Sequence, residues 1–216
     1  MPYRRTENVV RRLAARHAAI IAAARAAASE GGMAAVQIVP VARRAGIAAG
    51  TVYRYFPGKT DLVAALLEGI AHDEMAALRR AASVAPGPLS ALAAAIMTFA
   101  ARALRERRLT YAAIAEPIDA ELDAVRLSFR RALAAEFSVR IAAAAAGSHL
   151  LEQDTALSGT ALLGLLIEAL VGPLAPDAAG RERETVQSLT LIALRGLGVA
   201  DARARGLVVQ TTLPAA

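Results

Sequence analysis

Between Gln37 and Lys59 the chain gathers side chains suited to holding a polyanion and reading its surface. Thr51 brings a hydroxyl that can bond a base edge or a phosphate, and a methyl that can touch a thymine methyl. Tyr53 and Tyr55, two of the chain's four tyrosines, flank Arg54. The lone lysine, Lys59, stands where a further helix would begin, and there its charge and the free amides both suit a phosphate. Each residue also has a plainer use. Thr51 can bond a carbonyl of its own helix, Arg54 can be solvated, and a tyrosine ring can cap a core while its hydroxyl reaches outward.

The elements that would position these groups are short. A helix from Gln37 to Ala45 is stopped by Gly46, which takes left-handed backbone angles cheaply. A second helix follows from about Ala48 to Tyr55. Two short helices joined by such a turn form a helix-turn-helix, whose second helix can enter the major groove of DNA. Val52 and Phe56, four residues apart, are expected inward. That leaves Ala48, Ala49, Gly50, Thr51, Tyr53, Arg54 and Tyr55 outward, with Gly50 permitting close approach and Arg43 and Arg44 adding unspecific charge.

The run Val41-Ala42-x-x-Ala45-Gly46-Ile47-x-x-Gly50-Thr51-Val52-Tyr53-x-Tyr55-Phe56-x-x-Lys59-x-x-Leu62 resembles the TetR (tetracycline-repressor-like) family of bacterial regulators. The likeness covers about residues 14–74, around a motif at 37–56. It implies an all-α fold of about nine helices. A three-helix DNA-binding domain (1–60) would precede a helical ligand-binding and dimerisation domain (61–200), and residues 201–216 would form a loosely held tail. By this resemblance Tyr53, Tyr55 and Lys59 look like phosphate clamps, and Gln37 sits where relatives begin the second helix and often touch the backbone. The chain departs from the pattern at two places. Pro40 replaces a usual carboxylate, which a first-turn proline permits. Ala48 and Ala49 offer no hydrogen bonds, so specificity would lean on Gln37, Thr51, Arg54 and DNA shape.

Charge points the same way. Residues 1–83 hold 12 Lys+Arg against 6 Asp+Glu, whereas 84–216 hold 13 of each, so the whole net charge of +6 lies with the helix-turn-helix. A basic module beside a neutral one suits phosphate attraction. Arg4, Arg5, Arg11, Arg12 and Arg16 give the first helix a basic entry, read as a solvated face or as an arm reaching DNA. There is no cysteine, and Met1 to Arg5 lacks the apolar core of a signal peptide. A reducing cytoplasm is therefore expected.

Periodicity and breakers place the remaining helices. The first runs from about Glu7 to Glu30 with Leu13, Ile20, Ala24 and Ala27 on one face, stopped by Gly31-Gly32. A long helix spans Lys59 to Ala82 on a stripe of Leu62, Leu66, Ile70 and Leu78. After Pro86-Gly87-Pro88 come helices over 89–106, 109–115, 117–146, 154–171 and 181–195. The helix over 154–171 reads apolar all round apart from Glu168, and is too interrupted for a membrane span. Such a helix must be covered on every side. A partner subunit is the expected cover, through Leu162, Leu166 and Leu170 with Val186, Leu189, Ile192 and Ala193 of the next helix. The family resemblance likewise implies a four-helix dimer interface, which would present two recognition helices to a palindrome.

A ligand pocket between helices would draw on Met97, Phe99, Tyr111, Ile114, Glu116, Arg126, Phe129, Leu163, Ile167 and Glu168. Glu168 in an apolar helix must be paired, protonated or facing a cavity, which suggests a neutral or weakly cationic hydrophobic effector. Enzyme chemistry finds little footing. His17, His72 and His149 are scattered, His72-Asp73-Glu74 reads as an exposed patch, and neither a phosphate loop nor a nucleophile elbow appears. No cofactor or metal is expected. The sequence thus reads as a homodimeric repressor released from a palindromic DNA operator by a small hydrophobic molecule. The alternative is a lipid or small-molecule carrier of the same fold that no longer binds DNA.

Overall fold

Alanine and leucine favour helix almost everywhere, and the computed structural model, which describes residues 3–211 with side chains from Glu7 onward, contains no strand among those residues. The side chains of Arg4 and Arg5 lie outside the described ones, as do residues 212–216. The described residues form ten α-helices, in the order α1 (Tyr3–Gly31), α2 (Ile38–Arg44), α3 (Ala49–Tyr53), α4 (Lys59–Ser83) and α5 (Pro88–Arg105). Then come α6 (Arg107–Ile114), α7 (Ala120–Ala146), α8 (Thr155–Leu170), α9 (Glu182–Gly196) and α10 (Asp201–Gln210), and a 3₁₀ turn over Met33–Ala35 joins α1 to α2.

The N-terminal helices share a core of Ile20, Ala24 and Ala28 from α1, Val41 and Ala42 from α2, Val52 from α3, and Phe56. Leu62 and Leu66 of α4 join it. Leu13, expected on the inner face, is instead 48% exposed. Every residue from Glu7 to Ala19 is exposed, so the first half of α1 projects beyond the helices that cover its second half. Apolar packing runs without a break from Ile20 to Val208, across the expected boundary at residue 60. The physical link is α4, which packs on α1 at one end and on α5 and α7 at the other.

The helix buried on every side is α5, not α8. Residues 91–100 of α5 are all buried, within a ring of α4, α6, α7, α8, α9 and α10. Its alanines let these neighbours come close, and Phe99 meets Phe137 of α7 edge-on with ring centres 6.2 Å apart. By contrast α8 has two faces. Leu162, Leu163, Leu166, Ile167 and Leu170 are buried, while Leu157, Thr160, Ala161, Gly164 and Glu168 are exposed. Its long neighbour α7 covers the inner face, helped by Gly159. A Cβ there would sit 2.2 Å from the Ser138 hydroxyl oxygen and 2.8 Å from the Ala134 carbonyl oxygen.

The segment expected to be a loose tail carries α10. Ala204, Leu207 and Val208 are buried against α9 and α5, and Asp201 at its start accepts from both Arg195 and Arg205. The two guanidinium groups hold the Asp201 carboxyl below its ordinary pKa, the Arg205 hydrogen bond contributing most.

Candidate nucleic-acid interface

A five-residue α3 can show only one face, and its apolar residues decide which. Val52 is fully buried and Phe56, just beyond the helix, is 4% exposed, as the spacing predicts. That pins α3 against α2. Tyr53 is left 51% exposed, with Ala48, Gly50 and Arg54 also exposed and Ala49, Thr51 and Tyr55 half-buried. Gly46 makes the turn between α2 and α3 at φ 67°, a conformation open to glycine at little cost. Pro40 sits in the first turn of α2, where its missing N–H breaks no helical bond.

Tyr55 is not wholly outward. Its ring centre lies 6.3 Å from that of His17 of α1, and Phe56 lies 5.1 Å from the same imidazole. His17 therefore braces the end of the motif from a neighbouring helix, a role no spacing in the sequence reveals. Lys59 opens α4. Its preceding N-cap, Gly58, has no side chain to accept from the first amides, and instead its own N–H donates to Asp61 Oδ2 at 2.9 Å.

Two residues expected to meet DNA are partly engaged inside the molecule. Gln37 Nε2 donates to the Ala34 carbonyl at 3.0 Å, which holds the 3₁₀ turn to the start of α2. Arg44 makes a two-pronged pair with Glu30 of α1, at 2.7 and 2.5 Å. The Arg44 hydrogen bond and charge hold the Glu30 carboxyl below its usual pKa. As placed, Arg44 ties α2 to α1 across the surface, and Arg43, Arg44 and Arg54 are all exposed. Along the projecting half of α1, Arg11, Arg12 and Arg16 are exposed as well, and Arg11 donates to Asn8 at 2.7 Å.

The side chains gathered for a ligand pocket do not converge on a common cavity. Met97, Phe99, Ile114, Phe129, Leu163 and Ile167 are packed core residues, each 8% exposed or less. Tyr111 is half-buried beneath Arg108, whose guanidinium carbon lies 5.8 Å from the ring centre. Glu116 joins the turn after α1 to α6, accepting from the Met33 amide at 3.2 Å and from Arg108 at 3.2 Å. Arg126 donates to the Glu116 carbonyl at 2.5 Å and pairs with Asp123. Together they hold the loop between α6 and α7 against the turn after α1. Gly32 at that turn has φ 74°, and a Cβ there would collide with Arg108 and Glu116. Glu168 is exposed and accepts from the Leu174 amide at 3.2 Å. Solvent and this bond satisfy its charge, so the reason for placing it in a pocket falls away.

The residues expected at a dimer face pack largely within the chain itself. Leu162, Leu166, Leu170, Val186, Leu189 and Ala193 are buried within one chain, whereas Ile192 is 53% exposed. The chain's own α5 and α7 supply the cover expected from a partner. Glu74, read as part of an exposed patch, is mostly buried and accepts from Arg102 at 2.7 Å, while His72 and Asp73 are exposed. Burial raises the Glu74 carboxyl above its ordinary pKa despite the Arg102 bond. Among the described residues no cluster of His, Asp and Glu has the makings of a metal site, and no helix is long and apolar enough to cross a membrane.

These elements define a class, an all-helical protein with an N-terminal helix-turn-helix set on a larger helical body. Residues 20–66 match the family model described as "Bacterial regulatory proteins, tetR family", a match that takes in the helix-turn-helix and the start of α4. It is 52% identical over 48 residues to the HTH-type transcriptional repressor KstR of Mycolicibacterium smegmatis and of Mycobacterium tuberculosis. That stretch is 22% of this chain and 24% and 22% of those relatives, so the chain matches less than a quarter of the length of either. Similarity of fold extends much further. A SmeT–triclosan complex superposes with a TM-score of 0.72 at 21% identity, over 94% of this chain and 98% of that one. RolR with resorcinol gives 0.66 at 23% identity, over 95% and 98%. FadR of Bacillus subtilis with stearoyl-CoA gives 0.67 at 18% identity, over 80% and 97%. At these identities the likeness establishes the fold alone.

Proposed function

We propose that this protein is a cytoplasmic, homodimeric transcriptional repressor that binds a palindromic operator and lets go when a small molecule binds its helical body. The observation that carries the reading is the division of residues around α3. Val52 and Phe56 are buried, while Thr51 is half-buried, Tyr53 and Arg54 are exposed, and Lys59 opens α4 a few residues further on. Thr51 and Arg54 are assigned to base edges. Tyr53, Tyr55 and Lys59 are assigned to phosphates, with Gly50, Ala48 and Ala49 allowing close approach. Gln37 holds the entry of α2 and stands at its edge.

For assembly, the outer faces of α8 and α9 replace the buried leucines. Leu157, Ala161, Gly164 and Ile192 are exposed there, and a shallow hollow of about 290 Å³ lies between Ala169, Pro176, Leu189 and Ile192. An isologous contact through this surface would set two α3 helices to face two half-sites.

The test uses the purified full chain and duplexes tiled across the DNA upstream of its own reading frame, followed by fluorescence anisotropy over a salt series. Tight binding to a segment containing an inverted repeat is expected, with affinity falling steeply as salt rises. Binding to no duplex at low salt would overturn the reading. A chain that still bound small molecules would then be the carrier.

A further inference from the structure

A sizeable cavity lies away from the residues first gathered for a pocket. It is a cleft of about 630 Å³ between the end of α4, the Ala94 and Thr98 stripe of α5 and the C-terminal α10. That volume is within the ~300–1,000 Å³ usual for small-molecule sites. Its walls are small and apolar, with Ala77 and Ala81 from α4, Ala94 from α5 and Leu207 from α10. Thr98, 5% exposed, lines it from α5.

The charges are one-sided. Three arginines line the cleft, Arg80 from α4 and Arg102 and Arg105 from α5, and none of its lining residues is acidic. Arg102 is held in place from behind, because its Nε donates to Glu74 at 2.7 Å. A guanidinium fixed in this way has lost much of its rotamer freedom before any ligand arrives, which favours binding. Planar guanidinium groups match carboxylate and phosphate oxygens in pairs. A largely apolar trough whose charged described lining residues are all arginines suits a molecule with an apolar body and one anionic end.

We infer that the α4–α5–α10 cleft is a binding site for an amphipathic organic anion, with the apolar body against Ala77, Ala81, Ala94 and Leu207 and the anionic head among Arg80, Arg102 and Arg105. The site reverses the polarity of effector first suggested by Glu168. It also gives α10 a purpose as one wall. Arg102 sits at the hinge of a wider network. Its partner Glu74 is on α4, and the adjacent Glu106 pairs with Arg25 of α1 at 2.5 Å. An anion held by Arg102 therefore lies next to groups that join the helical body to the DNA-binding helices.

Binding is measured without DNA, so a failure here and a failure of the repressor reading are separate results. Isothermal titration uses dodecanoate, dodecyl phosphate and the neutral dodecanol, all below their aggregation limits, against the full chain. Saturable binding of at least one anion is expected, at least about tenfold tighter than the alcohol, with a rise in melting temperature. Arg80→Gln, at the exposed rim, should weaken the anion several-fold. Ala81→Trp should block the cleft, and circular dichroism checks that both variants are folded. Dodecanoate against dodecyl phosphate tells which head the arginines prefer. The inference is overturned if neither anion binds, if dodecanol binds equally well, or if folded Arg80→Gln and Ala81→Trp both bind the anion like the native chain.

Discussion

The residues around α3 divide into those that read and those that grip, and substitution separates the two. Lys59→Ala and Tyr53→Phe should weaken every duplex by similar factors, because phosphate contacts carry no base information. Losing Lys59 should also shallow the salt slope by about one. Thr51→Ala should instead change the order of preference among operator variants. Anisotropy on a small operator panel distinguishes these outcomes, and a Lys59→Ala loss confined to particular sequences would contradict its assignment to phosphate. Glu30→Gln gives a further expectation. It removes a negative charge near the basic surface and releases Arg44 from its two-pronged pair, so DNA affinity should rise at low salt. Spacing alone made the outward set legible, since Val52 and Phe56 fix the orientation of so short a helix. The engagement of Arg44 with Glu30 and the bracing by His17 were not legible, because they depend on where α1 crosses α2 and α3.

At the scale of elements, periodicity located nine helices to within a few residues, and the misses share a cause. Hydropathy ranks a helix by composition but does not say which neighbours cover it. Thus α8 looked buried all round on account of its leucines, while the alanines of α5 concealed the true centre. The short α10 was missed because only Leu207 and Val208 announce an inner face. Both can be tested. Gly159→Ala should drive a methyl into the α7 backbone and lower stability by about 1–3 kcal/mol, the usual range for an overpacked contact. Leu207→Ala should cost about 2 kcal/mol by opening the seam between α10 and the body. Denaturant midpoints measure both, and an unchanged midpoint for Leu207→Ala would mean that α10 is not docked.

The bridge between α4 and α7 adds a pH dependence. Glu136 accepts from Arg140 at 3.0 Å and from Arg79 at 3.0 Å. Burial pushes its carboxyl up, but the two arginines outweigh that and hold it below the ordinary 4.5. A lowered acid favours the folded state above its unfolded pKa, and that advantage is lost as pH falls through the folded value. Glu136→Gln should therefore melt below the native chain at pH 7, with the gap closing as pH drops below 4.5. A gap that stayed constant with pH would assign the effect to packing.

For the whole molecule, the question is what makes a dimer if the leucines of α8 are already spent. A charge at a buried leucine and a charge on the outer face should fail differently. Leu166 is fully buried within one chain, so Leu166→Asp places an unpaired charge in the core and should unfold the monomer. Ile192 is 53% exposed and Gly164 has open space around its Cβ position. Ile192→Asp and Gly164→Arg should therefore leave each chain folded and interfere only with a partner. Stable dimers of this kind bury on the order of 1,200 Å² or more, and a charge at the centre of such a surface removes much of the affinity. Sedimentation should give a folded monomer for both surface variants. Their operator affinity should fall far more than that of Lys59→Ala, because one half-site must then hold without the other. If both variants sediment as the native chain does, the subunits meet elsewhere. If the native chain is itself a monomer, the palindrome loses its physical basis.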